Sequence, residues 1–234
     1  MISDALTLLS GILPFCMLLF GGSILFISTT SRLDSYLKIL TLQGVLLFLM
    51  VIGHADTLGL LHTALLTLQT LVVKAIAIPL SIYYILKKLE IKRETGRYIG
   101  GFLSLVVATA ILVMSFVLAV IMKHAGSGVD VLSFGVSMSS IVYGLVGVIT
   151  RTKFITQVMG YLIFENGVFM MSLALSARAP VIVEAGVALD VFVGVFLIVI
   201  FLYRIKSSFI STPGRRVDPL ASPEIEMLKE FFSR

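Results

Sequence analysis

Three ionisable side chains stand inside long apolar stretches of the sequence: Lys74, Glu165 and Asp190. An ionised group at the centre of a bilayer costs roughly 2.5–3.5 kcal/mol on insertion scales, so each should face water, the protein interior or one of the others. Burial disfavours the charged forms of carboxylates and amines, which prepares both to exchange protons near neutral pH. We therefore predict an intramembrane proton or ion relay, in which the acids carry protons and the lysine adjusts their proton affinity by its charge.

Two further residues could extend this path, His62 in the outer part of the third apolar run and Glu184 near the outer end of the last. A histidine in the position of His62, taken alone, is more often a hydrogen-bonded packing residue. The structural alternative for the relay is a buried ion pair of Lys74 with Glu165 or Asp190 that only fixes helix packing. Such pairs contribute little net stability once desolvation is counted.

The sequence offers no other centre for reaction chemistry. It contains no P-loop, no GxGxxG, no HExxH and no nucleophile elbow, and its three histidines do not have the spacing of metal ligands. The single cysteine, Cys16, excludes an intrachain disulfide or an iron–sulfur ligand set. We therefore expect no catalytic residue, no metal and no cofactor in this chain, which would not be an enzyme by itself.

The elements that must position these side chains follow from composition. Of 234 residues, 58% are hydrophobic and 13% are charged, against about 25% charged in soluble domains. A soluble globular enzyme is excluded, and the apolar runs are too long and too uniform for the strands of an outer-membrane barrel. Backbone groups in hydrocarbon must be satisfied within their own segment. The sequence therefore predicts an all-α, polytopic membrane helix bundle.

A membrane-spanning helix needs about 20 largely apolar residues, and seven runs approach this requirement. The second is short and the third is long. The predicted spans are Leu6–Ile27, Leu37–Ile52, Leu60–Leu86, Ile99–Met122, Val131–Thr150, Ile155–Leu175 and Val181–Tyr203.

The net charge of +5 comes from short basic clusters between the apolar runs, which is typical of topology signals and unlike the basic stripe of a nucleic-acid-binding face. The clusters lie in 87–97, in 151–153 and after Tyr203. Alternating spans put all three on one side, which should be cytoplasmic. We predict a transmembrane domain over 1–206 in the cell membrane, followed by a cytoplasmic C-terminal tail, 207–234.

The spans also suggest an internal repeat. Gln43-Gly44 occupies the place in the second span that Glu165-Asn166-Gly167 occupies in the sixth, and the third and seventh spans each carry one ionisable residue before a basic cluster. The candidate repeats are 6–86 and 131–206, two three-helix units joined by a linking span, 99–122. The alternative is that any two apolar helices look alike.

Several blocks of the sequence form a recognisable pattern. They are Gly160–Gly167, Arg178–Pro180, Val183-Glu184, Gly186 and Asp190, with Val73-Lys74 and Pro79-Leu80 in the third span. This pattern resembles the E component of hydrogenase-4, a membrane subunit of formate hydrogenlyase-type group 4 nickel–iron (NiFe) hydrogenase complexes. This family is related to the K subunit of complex I and the C subunit of Mrp antiporters, which have a glutamate on each of two adjacent spans. Asp190 resembles the second of these glutamates. The place of the first is Leu162 here, and the acid, Glu165, comes one helical turn later.

The resemblance implies a non-catalytic membrane-arm subunit of a complex I-like, energy-converting hydrogenase. Its partners would be antiporter-like and quinone-subunit-like membrane subunits and a peripheral arm with nickel–iron and iron–sulfur centres. Redox chemistry on that arm would be coupled to proton or Na⁺ translocation through Lys74, Glu165 and Asp190. Two alternatives stay open: a stand-alone secondary ion transporter, suggested by the repeat, and a purely structural membrane scaffold.

Overall fold

Helices account for nearly all of the residues that the computed structural model describes, which are 2–53, 60–88 and 100–175, and these ranges contain no β-strand. By its internal contacts the chain divides into residues 1–195, which include everything described, and 196–234. The helices are α1 (Ile2–Thr29), α2 (Leu33–Gly53), α3 (Leu60–Gln69), a π-helical segment (Thr70–Ala77), α4 (Ile78–Lys88), α5 (Gly101–Met122), a short second π-helical stretch (Lys123–Ser127), α6 (Val131–Thr150) and α7 (Phe154–Leu175).

Within the described ranges, six helical stretches are long and apolar enough to cross a membrane. The all-α, multi-pass class predicted from the sequence is therefore confirmed, while the seventh predicted span, Val181–Tyr203, lies outside the described residues. The stretches are Gly11–Thr29, Leu33–Gly53, Leu66–Tyr84, Gly101–Ser127, Val131–Thr150 and Ile155–Leu175.

The second span is longer than its apolar run suggests. The prediction began at Leu37, whereas α2 has 21 residues and begins at Leu33. Its extra turn carries Asp34 in the first turn of the helix, where a negative charge interacts favourably with the helix dipole. A hydrophobicity criterion misses such a turn because it is polar.

The third span is not a uniform α-helix. It runs through α3, the π-helical segment and α4. The hydroxyl of Thr70 donates to the carbonyl oxygen of Leu66 at 2.8 Å where the π-helical segment begins, and Pro79, which has no N–H to continue the ladder, follows its end by two residues. The third span thus contains a widened helical segment just before Pro79, a feature that is frequent at functional sites.

Glycines bring neighbouring helices into close contact. A Cβ atom added to Gly44 of α2 would lie 2.9 Å from the backbone carbon and oxygen of Lys74. One added to Gly160 or Gly167 of α7 would meet α6 backbone at 2.9 Å from Val148 N and 2.7 Å from Ile141 N. Small residues allow such approach in membrane bundles, so α2 lies against the π-helical segment and α6 against α7.

An apolar cluster fills the junction of α1, α2, α3, α6 and α7. Further packing joins α1 to α5 and α2 to α7. In contrast, only 17% of the α5 span is buried, and Phe102 is 81% exposed, so most of α5 is suited to face hydrocarbon. The cluster consists of Cys16, Met17, Phe20, Leu46, Leu47, Met50, Val51, Leu66, Val136, Phe169, Met170 and Leu173.

The connection from α5 to α6 turns on two glycines in the left-handed region, Gly126 (φ 79°) and Gly128 (φ 57°). Asp130 then caps α6, because its Oδ2 accepts from the backbone N–H of Ser133 at 2.8 Å and from the Ser133 hydroxyl at 2.6 Å. Partial burial raises the pKa of Asp130, but the hydrogen bonds from Ser133 and Leu132 and the charge of Lys123 outweigh it, so the net pKa lies below its ordinary value.

Candidate functional site

A buried ion pair joins the third and sixth spans near their middles. Lys74 Nζ lies 3.5 Å from Glu165 Oε1, and the two side chains are 3% and 2% exposed. Lys74 comes from the π-helical segment and Glu165 from the centre of α7. The structure thus brings together two of the three residues predicted for the relay.

The pair does not stand alone but ends a row of polar side chains through the bundle. Lys74 Nζ donates to Asn166 Oδ1 at 3.3 Å, and Asn166 Nδ2 donates to Gln43 Oε1 at 3.2 Å. Gln43 Nε2 donates to Ser23 Oγ at 2.8 Å, and that hydroxyl donates to the carbonyl oxygen of Phe20 at 2.6 Å. We call Ser23, Gln43, Asn166, Lys74 and Glu165 the polar row; all five are buried.

Local backbone features place these side chains. Gly44 lets α2 approach the backbone of Lys74, which brings the adjacent Gln43 into the same layer. Gly167, directly after Asn166, lets α7 pack against α6 at Ser140 and Ile141. Two glycines beside two amide residues therefore hold the row at the depth where α2, α7 and the third span meet.

An aromatic ring closes the ion pair on one side. Lys74 Nζ lies 4.7 Å from the ring centroid of Phe169, within the range of a cation–π interaction. Phe169 is also a member of the apolar cluster, so the row borders directly on dry, apolar packing. In such surroundings an ionised pair is stabilised by its mutual attraction and its hydrogen bonds, and a proton gained by Glu165 would change the field at Lys74 strongly.

The structure does not describe the side chains of the remaining predicted site residues. His62 lies in α3, and its side chain is outside the described set. Glu184 and Asp190 lie outside the described residues altogether. Their roles in the relay stay predictions.

Sequence reasoning missed the polar row as a unit. From the sequence, Gln43 and Asn166 were recognised only as parts of a repeat or a family block, and Ser23 was not identified as a site residue. The available signal was an amide in the middle of an apolar run, because a buried amide needs partners. Ser23 gives no such signal, since a serine in a helix can satisfy itself on the preceding turn.

Comparison with known proteins finds distant relatives. The chain is 24% identical over 135 residues to hydrogenase-4 component E of Escherichia coli (strain K12), a match covering 57% of this chain and 62% of that protein. The same figures hold for hydrogenase-4 component E of Shigella flexneri. An uncharacterized protein of Mycobacterium tuberculosis is 25% identical over 118 residues, which cover 50% of this chain and 54% of the relative.

These matches have a limited extent. The chain spans 62% of the length of the first of these relatives. No protein-family model matches the chain, and no solved structure matches it. The similarity agrees with the resemblance read from the sequence motifs, at the level of a distant relative.

Proposed function

We propose that this chain is a membrane-arm subunit of a complex I-like, energy-converting hydrogenase complex of the formate hydrogenlyase or hydrogenase-4 type. In that role Lys74 and Glu165, with Asp190, take part in proton or Na⁺ translocation driven by redox chemistry on partner subunits. The distant similarity to hydrogenase-4 component E supports the assignment to such a complex. The single observation that carries the translocation role is the Lys74–Glu165 pair.

The energetics of that pair favour a functional reason for keeping it. Taking two charges out of water costs several kcal/mol per ion, and replacement of a buried pair by apolar residues is often neutral or stabilising. Lys74 and Glu165 are 3.5 Å apart and nearly inaccessible, and the helix around Lys74 is π-helical. A helix bundle in lipid needs neither feature in order to pack.

Each member of the pair has a distinct part in the proposed mechanism. Glu165 takes up and releases the proton, because Lys74 keeps an amide oxygen and an aromatic ring beside its charge when the acid becomes neutral. Lys74 supplies the fixed positive charge, and an opposite charge within about 4–6 Å favours the ionised acid. Proton occupancy of Glu165 and the field around Lys74 are therefore linked, which is what coupling to a neighbouring subunit requires.

The partners follow from the same proposal. Antiporter-like and quinone-subunit-like membrane subunits would flank the chain, and a peripheral arm would hold the nickel–iron and iron–sulfur centres. The subunit would lie in the cell membrane with its C-terminus in the cytoplasm. Purification through a tag on this chain should co-purify a nickel–iron large subunit. Recovery of the chain without any redox subunit, from membranes solubilised in mild detergent, would contradict the complex.

The translocation role is tested by Glu165→Gln and Asp190→Asn in the whole complex. Each change keeps the shape and removes the titratable proton, so the complex should assemble while ion movement per turnover is largely lost. Ion uptake into liposomes, measured with hydrogenase activity, gives the result. Ser140→Ala is the matched control, because it removes a buried interhelical hydrogen bond to Ile163 outside the polar row. If both variants move ions as the wild type does, the Lys74–Glu165 pair serves only helix packing.

A purely structural scaffold is the second candidate, and the enclosure of the pair is the observation that favours it. Lys74 has a carboxylate, an amide oxygen and an aromatic face around it, which is also how a permanent structural pair would be held. The two candidate functions predict different outcomes for membrane assembly when Lys74 is removed.

A further inference from the structure

We propose that Gln43 and Asn166 are positioning residues that hold Lys74 as the positively charged, donating end of a one-directional row of hydrogen bonds. The inference rests on the proposed function and deepens it, because it says how one residue of the relay is kept in a single state. It also separates the residues that carry protons from those that do not.

The direction of the row follows from the chemistry of the lysine. An ammonium group has donors and no acceptor, so Asn166 must present its oxygen to Lys74. Its NH₂ group then faces Gln43, which must present an oxygen in turn, and the NH₂ group of Gln43 faces the Ser23 hydroxyl. The distances of 3.3, 3.2 and 2.8 Å fit this single assignment.

The far end of the polar row is also hydrogen-bonded. The Ser23 hydroxyl donates its proton to the carbonyl oxygen of Phe20 at 2.6 Å. A carbonyl oxygen can only accept, so the direction of this hydrogen bond is fixed. Across the described ranges, Thr63 Oγ1 is the buried side-chain polar atom without a hydrogen-bond partner, so each buried polar atom of the row has at least one partner. Aligned hydrogen bonds in a low-dielectric interior strengthen one another, and every dipole in this row turns its negative end toward the ammonium group.

A neutral amine at position 74 would remove this constraint. It has a lone pair and could accept as well as donate, so either orientation of the two amides would be possible. The wild-type row therefore favours the charged lysine over the neutral one. Two further neighbours of Lys74 act in the same sense: Glu165 by its charge and Phe169 by its ring face.

The same geometry excludes the row as a proton route. Gln43 and Asn166 are amides without a titratable proton near neutral pH. A proton released by Glu165 must therefore leave by another way than through α2 and α1. The amides hold a charge in place, and the acid exchanges protons.

The charge on Lys74 can be observed directly. The full chain, labelled with ¹⁵N at lysine Nζ and reconstituted in lipid, gives separate solid-state NMR signals for ammonium and amine, and Lys74→Met identifies the signal. We expect Gln43→Leu and Asn166→Leu to convert Lys74 to the amine at a pH lower by about one unit, a tenfold change in proton affinity. Ser140→Ala should leave the signal unchanged. Unchanged titration in both leucine variants would overturn the inference.

Two conservative variants guard against misfolding of the leucine variants. Gln43→Glu still accepts from Asn166 in either protonation state, so it should keep the ammonium signal of the wild type. Ser23→Ala removes only the far end of the row, so it should shift the titration in the same direction by less. Loss of the ammonium signal in Gln43→Glu, or no shift in Ser23→Ala when the leucine variants are absent from the membrane, would count against the row.

A double-mutant cycle ties the row to function. In the whole complex, Gln43→Leu should lower ion movement when Lys74 is present and should have no further effect in a Lys74→Met background, because sites that act through one another are not additive. Equal effects in both backgrounds would make Gln43 a packing residue. If Glu165→Gln pumps normally, the proposed function fails, whereas the NMR titration of Lys74 still decides the charge-holding role.

Discussion

Lys74 replaces part of its lost hydration with a carboxylate, an amide oxygen and an aromatic ring. A buried charge pair repays its desolvation only when further hydrogen bonds satisfy the remaining donors and lone pairs. The carboxylate is therefore one part of the environment of the lysine rather than the whole of it. Removal of Lys74 then tests what Glu165 does without this nearby positive charge.

Lys74→Met separates the relay from the scaffold. In a structural pair, the orphaned carboxylate costs about 3–5 kcal/mol, so the subunit should disappear from the membrane. In a relay, Glu165 takes up a proton, and assembly survives. Without the nearby positive charge the acid keeps its proton to higher pH, so activity should move toward higher pH. Subunit abundance and a pH–activity profile measure both effects.

The double variant Lys74→Met/Glu165→Gln is the control for this prediction. It removes the orphaned charge, so a scaffold would regain assembly that the single variant lost. We expect the single variant to assemble without this rescue. Loss in the single variant with recovery in the double variant would establish the scaffold instead.

At the level of residues, the sequence was informative where a charge stood in an apolar run. It identified Lys74 and Glu165 but left Glu165 and Asp190 equal as partners of the lysine. The contact of Lys74 with Glu165 depends on how α7 lies against the π-helical segment, which no local pattern records, and Asp190 lies outside the described residues. The Gln43–Asn166 contact was missed for the same reason, since the two amides are 123 positions apart.

Among the elements, the third span departs most from regular geometry. An eight-residue π-helical segment lies just before Pro79. A proline removes one backbone donor wherever it stands, so a break is readable from sequence. The widened form depends on packing against α2, where Gly44 leaves no room for a side chain.

Gly44→Ala should therefore disturb the site without touching any polar group. The new Cβ atom would lie 2.9 Å from Lys74 backbone atoms, which cannot rotate away as a side chain can, and overpacking typically costs about 1–3 kcal/mol. We expect lower stability in detergent unfolding and a weakened Lys74–Asn166 contact.

Gly22→Ala is the matched control for Gly44→Ala. It lies in another apolar span, and a Cβ atom there would meet nothing within 4 Å. Alanine is favoured over glycine in helices by up to about 1 kcal/mol, so this variant should be neutral or slightly stabilised. Equal destabilisation by both changes would contradict the close approach of α2 to the third span.

The cap at the start of α6 can be tested with a substitution that disturbs the fold less than Gly44→Ala. Asp130→Ala removes the cap that accepts from Ser133 and should destabilise the protein by about 1 kcal/mol, the usual value for such a cap. Asp130→Asn keeps the acceptor and should lose less. Unfolding midpoints in detergent or bicelles at pH 7 give the comparison, and equal stability of all three proteins would deny the cap an energetic role.

The effect of Asp130 should depend on pH in a defined direction. Its folded-state pKa is lowered from 3.8, so its charged form contributes stability that is fully present above that value and is lost as the pH falls through the lower folded-state pKa. The difference between wild type and Asp130→Ala should therefore shrink under acid conditions. A difference that grows below about pH 4, the ordinary range of an aspartate, would reverse the sign and contradict the hydrogen-bonded cap.

For the whole molecule, composition and run lengths were enough to predict the fold class and six span positions. They could not give the arrangement, because surfaces that face lipid and surfaces that face protein are both apolar. The α5 span has the higher mean hydropathy, 2.9, and is 17% buried, whereas the α7 span has 1.5 and is 61% buried. The two candidate repeats and the 1–206 and 207–234 division stay predictions.

Orientation is the remaining property of the whole chain that basic residues predict. Cysteines introduced at Lys92 and Ser211, in a Cys16→Ser background, should resist an impermeant thiol reagent in intact cells and react after the membrane is opened. Those segments should be cytoplasmic because they carry or adjoin most of the basic residues. Rapid labelling of intact cells at either position would invert the topology.

The sequence separation across the polar row has a consequence for the order of events during synthesis. Lys74 precedes Asn166 by 92 residues, and chains grow at about 5–20 residues per second, so the lysine waits on the order of 5–20 seconds for its partners. During this interval the third span holds a charge without its counter-ion and has a mean hydropathy of only 1.6. In a nascent chain stopped before Glu165, the third span should therefore be inserted less stably in the membrane. A membrane insertase or an early partner subunit would have to cover the charge of Lys74 until α7 is synthesised.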